Sequence, residues 1–228
     1  MRACIILLFS FCLIACFDDE DQNSQDDVST DLPNPIRYLA LGDSYTFGTG
    51  ISSQYNWPNQ FVDSLAKYDY EIGDNDMIAT GGWTTGNLLS NTTNVKESYY
   101  NVVSLQIGVN NQFRGLPFSI FESEFNELLN RAIGYAGDEG FVFVLSIPDY
   151  GVTPFGKSIK NSETVYTEIN EYNTFIENSC RENNILYINV TDISRDLEDN
   201  NLALAVDNLH PSGYQYSLWV EEILSQLL

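Results

Sequence analysis

Five short apolar runs, each followed by a longer stretch of polar or helical pattern, constrain this chain more than any other feature. They lie at residues 36–41, 76–79, 102–107, 141–147 and 185–190 and are rich in Val, Ile, Leu and Phe. The first and third stop at Gly42 and Gly108, and the fourth at Pro148. Near-continuous apolar character, without strict alternation, is what a strand buried on both faces requires, so these runs predict parallel strands. Between them, Trp57-Pro58 opens a predicted helix through about Lys67, with proline at the tolerated first turn. Phe121, Phe125, Leu128, Leu129 and Ala132 recur at helical spacing and read as core packing. Residues 163–183 and 214–227 predict two long helices, and residues 192–199 a short helix or turn. Strands that alternate with helices imply an α/β fold whose parallel sheet is covered on both sides.

The first residues follow a different pattern. Met1-Arg2 and the apolar stretch up to Ala15 are too short for a membrane-spanning helix, which needs about 20 residues, and predict a secretory signal over residues 1–15. Leu13-Ile14-Ala15-Cys16 resembles a bacterial lipobox, in which Cys16 becomes the lipidated first residue after cleavage. Residues 16–35 then read as an acidic, disordered tether, because Asp, Glu, Asn, Gln and Ser cannot bury enough apolar area to offset ordering. Residues 36–228 remain as one folded domain. The expected partner at this end is a membrane, held through the lipid anchor, with the protein exported to the bacterial outer membrane or cell surface. Cys4 and Cys12 fall in the removed part and Cys16 is modified, so Cys180 is left alone and no disulfide framework forms within the mature chain.

A formal net charge of −22 disfavours nucleic acid as a partner, since phosphate backbones would be repelled. Oligomeric state leaves no trace in the sequence.

The chain has a single histidine, His210, in Asp207-Asn208-Leu209-His210-Pro211. Any imidazole general base must be this one. Asp207, three residues upstream, can accept the Nδ1 proton and leave Nε2 for a nucleophile. The candidate nucleophile is Ser44, in Gly42-Asp43-Ser44-Tyr45 at the carboxyl end of the first strand, where open α/β sheets bind ligands. The loop over residues 80–86 holds Gly81, Gly82 and Gly86, and glycines allow backbone N–H groups to approach a bound oxygen. Asn110 follows the third strand. The loop over residues 149–160 carries Tyr150 and Phe155, a candidate substrate wall. One histidine and one cysteine of the mature domain cannot assemble a zinc set, so neither metal nor cofactor is expected.

Together these four stretches resemble the SGNH hydrolases, also called the GDSL esterase and lipase family. Gly42-Asp43-Ser44 is similar to the family's nucleophile block, Gly82 to its glycine block, Gly108-Val109-Asn110 to its asparagine block, and residues 207–210 to its closing Asp-x-x-His block. Tyr45 stands where the family has Leu, and Gly81 competes with Gly82 for the glycine role. The resemblance implies a three-layer α/β/α sandwich of flavodoxin-like type, with a five-stranded parallel sheet. It also implies an exported serine esterase acting on a small-molecule ester: Ser44, Asp207 and His210 as triad, and Ser44, Gly82 and Asn110 as oxyanion hole. The loops around residues 110–114 and 150–155 most resemble a lysophospholipase-like branch, and carbohydrate O-deacetylation is the other substrate class. A catalytically silent surface binding module on the same fold is the competing expectation. A glycosidase built on Asp43 and Asp207 would leave Ser44, Asn110 and His210 without a role. If Cys16 carries the anchor, Cys16→Ser releases the protein from the membrane fraction, and unchanged retention on fractionation rules the anchor out.

Overall fold

The computed structural model describes residues 32–228, so the signal segment, Cys16 and most of the acidic tract lie outside the described residues. Five strands form one parallel sheet: β1 (Ile36–Gly42), β2 (Ile72–Ala79), β3 (Val102–Gln106), β4 (Phe141–Leu145) and β5 (Leu186–Ile188). Their order is β2-β1-β3-β4-β5. β3 and β4 are buried along their whole length and β1 at all but one residue, which is why their sequences are nearly all apolar.

Nine helices accompany the sheet among the described residues. They are α1 (Ser44–Phe47), α2 (Trp57–Lys67), α3 (Thr85–Asn91), α4 (Val109–Phe113), α5 (Phe118–Ala136), α6 (Pro154–Ile159), α7 (Ser162–Glu182), α8 (Thr191–Asp196) and α9 (Gly213–Leu227). Right-handed crossovers that step left from β1 to β2 and right from β2 onward put α2 on one face and α3, α5 and α7 on the other. α9 packs beside α2, completing three layers. None of these helices is long and apolar enough to cross a membrane.

Local chemistry explains the boundaries. Asn56 caps α2 by accepting from Asn59 N–H at 3.0 Å, and Trp57, Phe61 and Leu65 fall on the buried side. Between α5 and α7, Phe121 meets Tyr172 at 4.4 Å between ring centroids, with Phe118 and Phe175 around them. Cys180 is buried near the end of α7, and burial pushes its thiol up to about 12, so it is inert packing. Leu32 is buried, and Asn34 Oδ1 accepts from Glu71 N–H at 2.8 Å, so contacts of the fold reach N-terminal of Ile36.

Several sequence expectations are corrected. β2 begins at Ile72 rather than residue 76, because its first half is an edge strand whose Asp74 and Asn75 need not be apolar. β5 spans Leu186–Ile188 rather than residues 185–190. Residues 80–86 and 149–160 are not loops throughout. α3 starts at Thr85 behind a capping box of Thr84 and Asn87, and α6 starts at Pro154 behind Thr153, whose hydroxyl accepts from Gly156 N–H.

Gly108 is a tight joint between sheet and helices near the site. Its φ is +126°, and a Cβ there would lie 2.6 Å from the Phe121 ring and 2.9 Å from Ile147. Gly108→Ala is therefore expected to destabilise the fold by about 2–4 kcal/mol through strain and overpacking. A lower urea midpoint at unchanged m-value checks this, and an unshifted midpoint contradicts it.

Candidate active site

The strand order reverses direction between β1 and β3, so the connections leaving these neighbours diverge and open a crevice at their carboxyl ends. Ser44 sits directly above β1, at the start of α1, and is 6% exposed. Asp43 caps α1 by accepting from Tyr45 N–H at 3.0 Å. Flanking loops bring the other candidates from both sides: Gly81 and Gly82 after β2, Asn110 after β3. A Cβ on Gly81 would lie 4.0 Å from Ser44 Cβ, and Gly82 has a left-handed φ of +82°.

His210 arrives from the other end of the chain. Its loop is pinned by Ala205 N–H donating to His210 O at 2.8 Å, and by Asn208 taking a positive φ of 57° in the turn. α9 then carries the loop back to β1, where the Tyr216 hydroxyl donates to Tyr45 O at 2.8 Å. The Tyr45 ring lies 5.6 Å from the His210 ring and 6.4 Å from Trp219. The tyrosine that departs from the family pattern is therefore the packing element between the Ser44 and His210 segments.

Within the turn, the His210 ring Nδ1 and Asp207 Oδ2 are 2.6 Å apart, and Asp207 Oδ1 accepts from the N–H groups of Leu209 and His210, both at 3.0 Å. Burial pulls the Asp207 carboxyl upward, but the hydrogen bonds from the ring and the two N–H groups outweigh it, so it lies below its ordinary value. An ionised carboxylate can only accept, so Nδ1 carries the proton and Nε2 of the neutral ring keeps its lone pair. Ser44 and His210 line the same cavity without a hydrogen bond between the hydroxyl and the ring.

The donors are similarly poised. Among the described residues, the N–H groups of Ser44 and Gly82 have no protein acceptor. Asn110 Nδ2 donates to Trp83 O at 2.9 Å, which fixes the amide while leaving its second N–H for the cavity. Asn111 is the latch beneath: it accepts from Thr85 N–H at 3.0 Å and donates to Thr85 Oγ1 at 2.6 Å, tying the loop after β3 to α3.

The cavity has a volume of about 360 Å³ and takes in Ser44, Gly81, Gly82, Asn110 and His210. Tyr150 and Phe155, the expected wall, both line it. Phe155 N–H donates to Asn208 O at 3.2 Å, so the wall is fastened to the histidine turn. Sequence reasoning missed Thr49, Phe113 and Leu209 as lining residues. Phe113 meets Tyr150 edge-on at 5.7 Å. The signal that could have found it is the short helix α4 directly after the Gly108 turn. Asp43, the other carboxylate near Ser44, is buried under α1 and is not part of the lining.

Comparison with known proteins follows the same lines. Residues 40–218 match the profile of the GDSL-like Lipase/Acylhydrolase family. An arylesterase of Vibrio mimicus is 22% identical over 148 residues, 64% of this chain and 68% of that protein. Two similar solved structures are the psychrotrophic esterase EstA from Pseudoalteromonas sp. and Axe2, an acetylxylan esterase from Geobacillus stearothermophilus. EstA is 18% identical, covering 84% of this chain and 96% of its own, with a TM-score of 0.62. Axe2 is 15% identical, covering 86% and 95%, with a TM-score of 0.65.

Asp43 gives the site a pH signature. Burial pushes its carboxyl up to about 7, opposed by the hydrogen bond from Tyr45 N–H. A carboxyl raised on folding adds stability that is present below its unfolded value of about 3.9 and lost as pH rises through the folded value. Asp43→Asn should therefore gain on the wild type between about pH 4 and pH 7, by on the order of 4 kcal/mol, then run parallel to it. Urea melts of both proteins across that range measure the difference, and a constant gap would show that Asp43 does not titrate there.

Proposed function

Because the chain belongs to the GDSL-like lipase/acylhydrolase family, we propose that it is an exported serine esterase that cleaves small carboxylic esters through Ser44, His210 and Asp207. The observation that carries this reading is the short contact of Asp207 with His210, whose ring lines the cavity that also holds Ser44, Gly82 and Asn110.

In the first half-reaction, Ser44 Oγ attacks the ester carbonyl carbon while His210 Nε2 takes the hydroxyl proton. Asp207 stabilises the imidazolium so formed. The carbonyl oxygen becomes an oxyanion held by the N–H groups of Ser44 and Gly82 and the free amide N–H of Asn110. As the tetrahedral species collapses, the bond between the acyl carbon and the alkoxy oxygen breaks and His210 gives the proton to that departing oxygen, releasing the alcohol. Water then attacks the Ser44 ester with His210 again as base, and the acid leaves with Ser44 restored.

A cavity of about 360 Å³ has room for roughly a dozen groups the size of a water molecule, which suits a short acyl group with the remainder of the substrate outside. Its apolar lining of Val109, Phe113, Tyr150, Phe155 and Leu209 suits the carbonyl end of a lysophospholipid's acyl chain, with the rest of the chain outside. Small size equally suits acetyl groups on carbohydrate, the class named for the Geobacillus enzyme. In this reading Cys16 is the lipidated residue and the acidic tether holds the enzyme at the cell surface.

On p-nitrophenyl acetate, Ser44→Ala should lose hydrolysis, and full activity in that variant would end the esterase reading. Asn110→Ala should retain the fold but lower kcat by about 10²- to 10³-fold, the usual loss for one oxyanion donor. A loss confined to KM would assign Asn110 to substrate binding instead.

A further inference from the structure

The cavity mouth carries two cations, in a protein whose net charge is −22. Arg114, exposed just after α4, donates through Nη2 to Gly82 O. Lys160, at the end of α6, donates to Phe113 O at 2.8 Å and stands 5.1 Å from the centre of the Phe113 ring. Gly82 and Phe113 both line the cavity, so each cation is fastened to its rim from a different loop.

Arg37, Lys67, Lys96 and Arg181 are also in no ion pair among the described residues but hydrogen-bond to no residue of the cavity lining, and three further basic side chains are neutralised. Arg131, Lys157 and Arg195 form ion pairs with Glu127, Glu198 and Asp149. Among the described residues, Arg114 and Lys160 are in no ion pair. Each is held by a neutral carbonyl, which orients the group without cancelling its charge. A guanidinium has five N–H donors and an ammonium three, so both keep donors facing outward. Asp207 is turned into the histidine turn, where its oxygens accept from His210 and Leu209. Asp149 and Glu168 also act on Tyr150 in the lining, and exposed carboxylates farther off are screened over a Debye length of about 8 Å at physiological salt, so Arg114 and Lys160 are the positive charges that a group projecting past the rim meets.

We propose that Arg114 and Lys160 select esters bearing an anionic oxygen group, a carboxylate or phosphate, that projects from the cavity while the ester carbonyl lies at Ser44. This rests on the esterase reading and names the substrate class within it. Both residues are specificity determinants that do not touch the reacting atoms.

Two matched ester pairs test the inference and show which half of the substrate carries the anion. For the acyl half, 4-nitrophenyl hydrogen glutarate is compared with its methyl ester. For the alcohol half, 3-acetoxybenzoate is compared with methyl 3-acetoxybenzoate. Each anionic-to-neutral ratio of kcat/KM is divided by the same ratio for hydroxide. The wild type should prefer the anion in at least one pair. The double variant Arg114→Gln/Lys160→Gln should lower that preference about tenfold, as expected for two partly exposed charge contacts. Lys160→Arg, which keeps the cation, should retain the preference, whereas general damage to the site would lower both members of a pair alike. Hydrolysis by the wild type with ratios the double variant does not move overturns this inference alone. Failure to hydrolyse any of the four esters overturns the esterase reading and this inference with it.

Discussion

Everything at the site depends on the divergence of chain direction between β1 and β3. Because β2 lies on one side of β1 and β3 on the other, the chain leaves these central strands over opposite faces of the sheet, and nothing fills the space above them. Ser44 is the second residue beyond the end of β1, so the hydroxyl has little freedom to be elsewhere. The loops after β2 and β3 then meet over β1, joined by the hydrogen bond from Asn110 to Trp83 O. A sheet wound in one direction would have given each of these residues a neighbour on one side only.

The histidine has no strand to position it, and its placement is achieved by a turn and a helix. A carboxylate three residues back saturates one oxygen with the turn's own N–H groups and turns the other to the ring, so the same side chain shapes the loop and orients the imidazole. Tyr45 completes the arrangement by packing, with its ring tilted, between the His210 ring and Trp219, while its carbonyl accepts from Tyr216. Nucleophile block and closing helix are therefore registered against each other by one aromatic side chain.

This division explains what could be read from the sequence. Strands buried on both faces show as apolar runs because water is excluded from every residue, so β1, β3 and β4 were legible, as were the long amphipathic helices α2, α5, α7 and α9. The first half of edge strand β2 and the short helices α3, α4 and α6 were not, since one open edge or a single turn imposes little apolar pattern. At the site, Ser44, Asp207 and His210 stood out through chemistry: a lone imidazole with a carboxylate at turn spacing is a pattern that packing seldom requires. Arg114 and Phe113 were hidden because their role depends on which loop faces which. That information is tertiary. Asn111 shows the same limit, since nothing local distinguishes the fully buried latch from the neighbouring Asn110 whose amide reaches the cavity.

The site is also where the fold carries its least favourable groups, and the pattern of those groups is informative. Asp43 is buried without a cation, with its carboxyl raised by desolvation, while its one hydrogen bond goes to Tyr45 N–H and starts the turn that presents Ser44. The N–H groups of Ser44 and Gly82 lack protein acceptors among the described residues, whereas such groups elsewhere in a fold are almost always paired. A water can satisfy these donors in the resting enzyme, but an oxyanion satisfies them more strongly, because a charged acceptor makes a hydrogen bond about twice as strong as a neutral one. Donors already fixed in place need no reorganisation when negative charge develops. A loop that paired them internally would be more stable and would forfeit that difference, so in the proposed mechanism the unpaired groups are preorganisation maintained at the expense of stability.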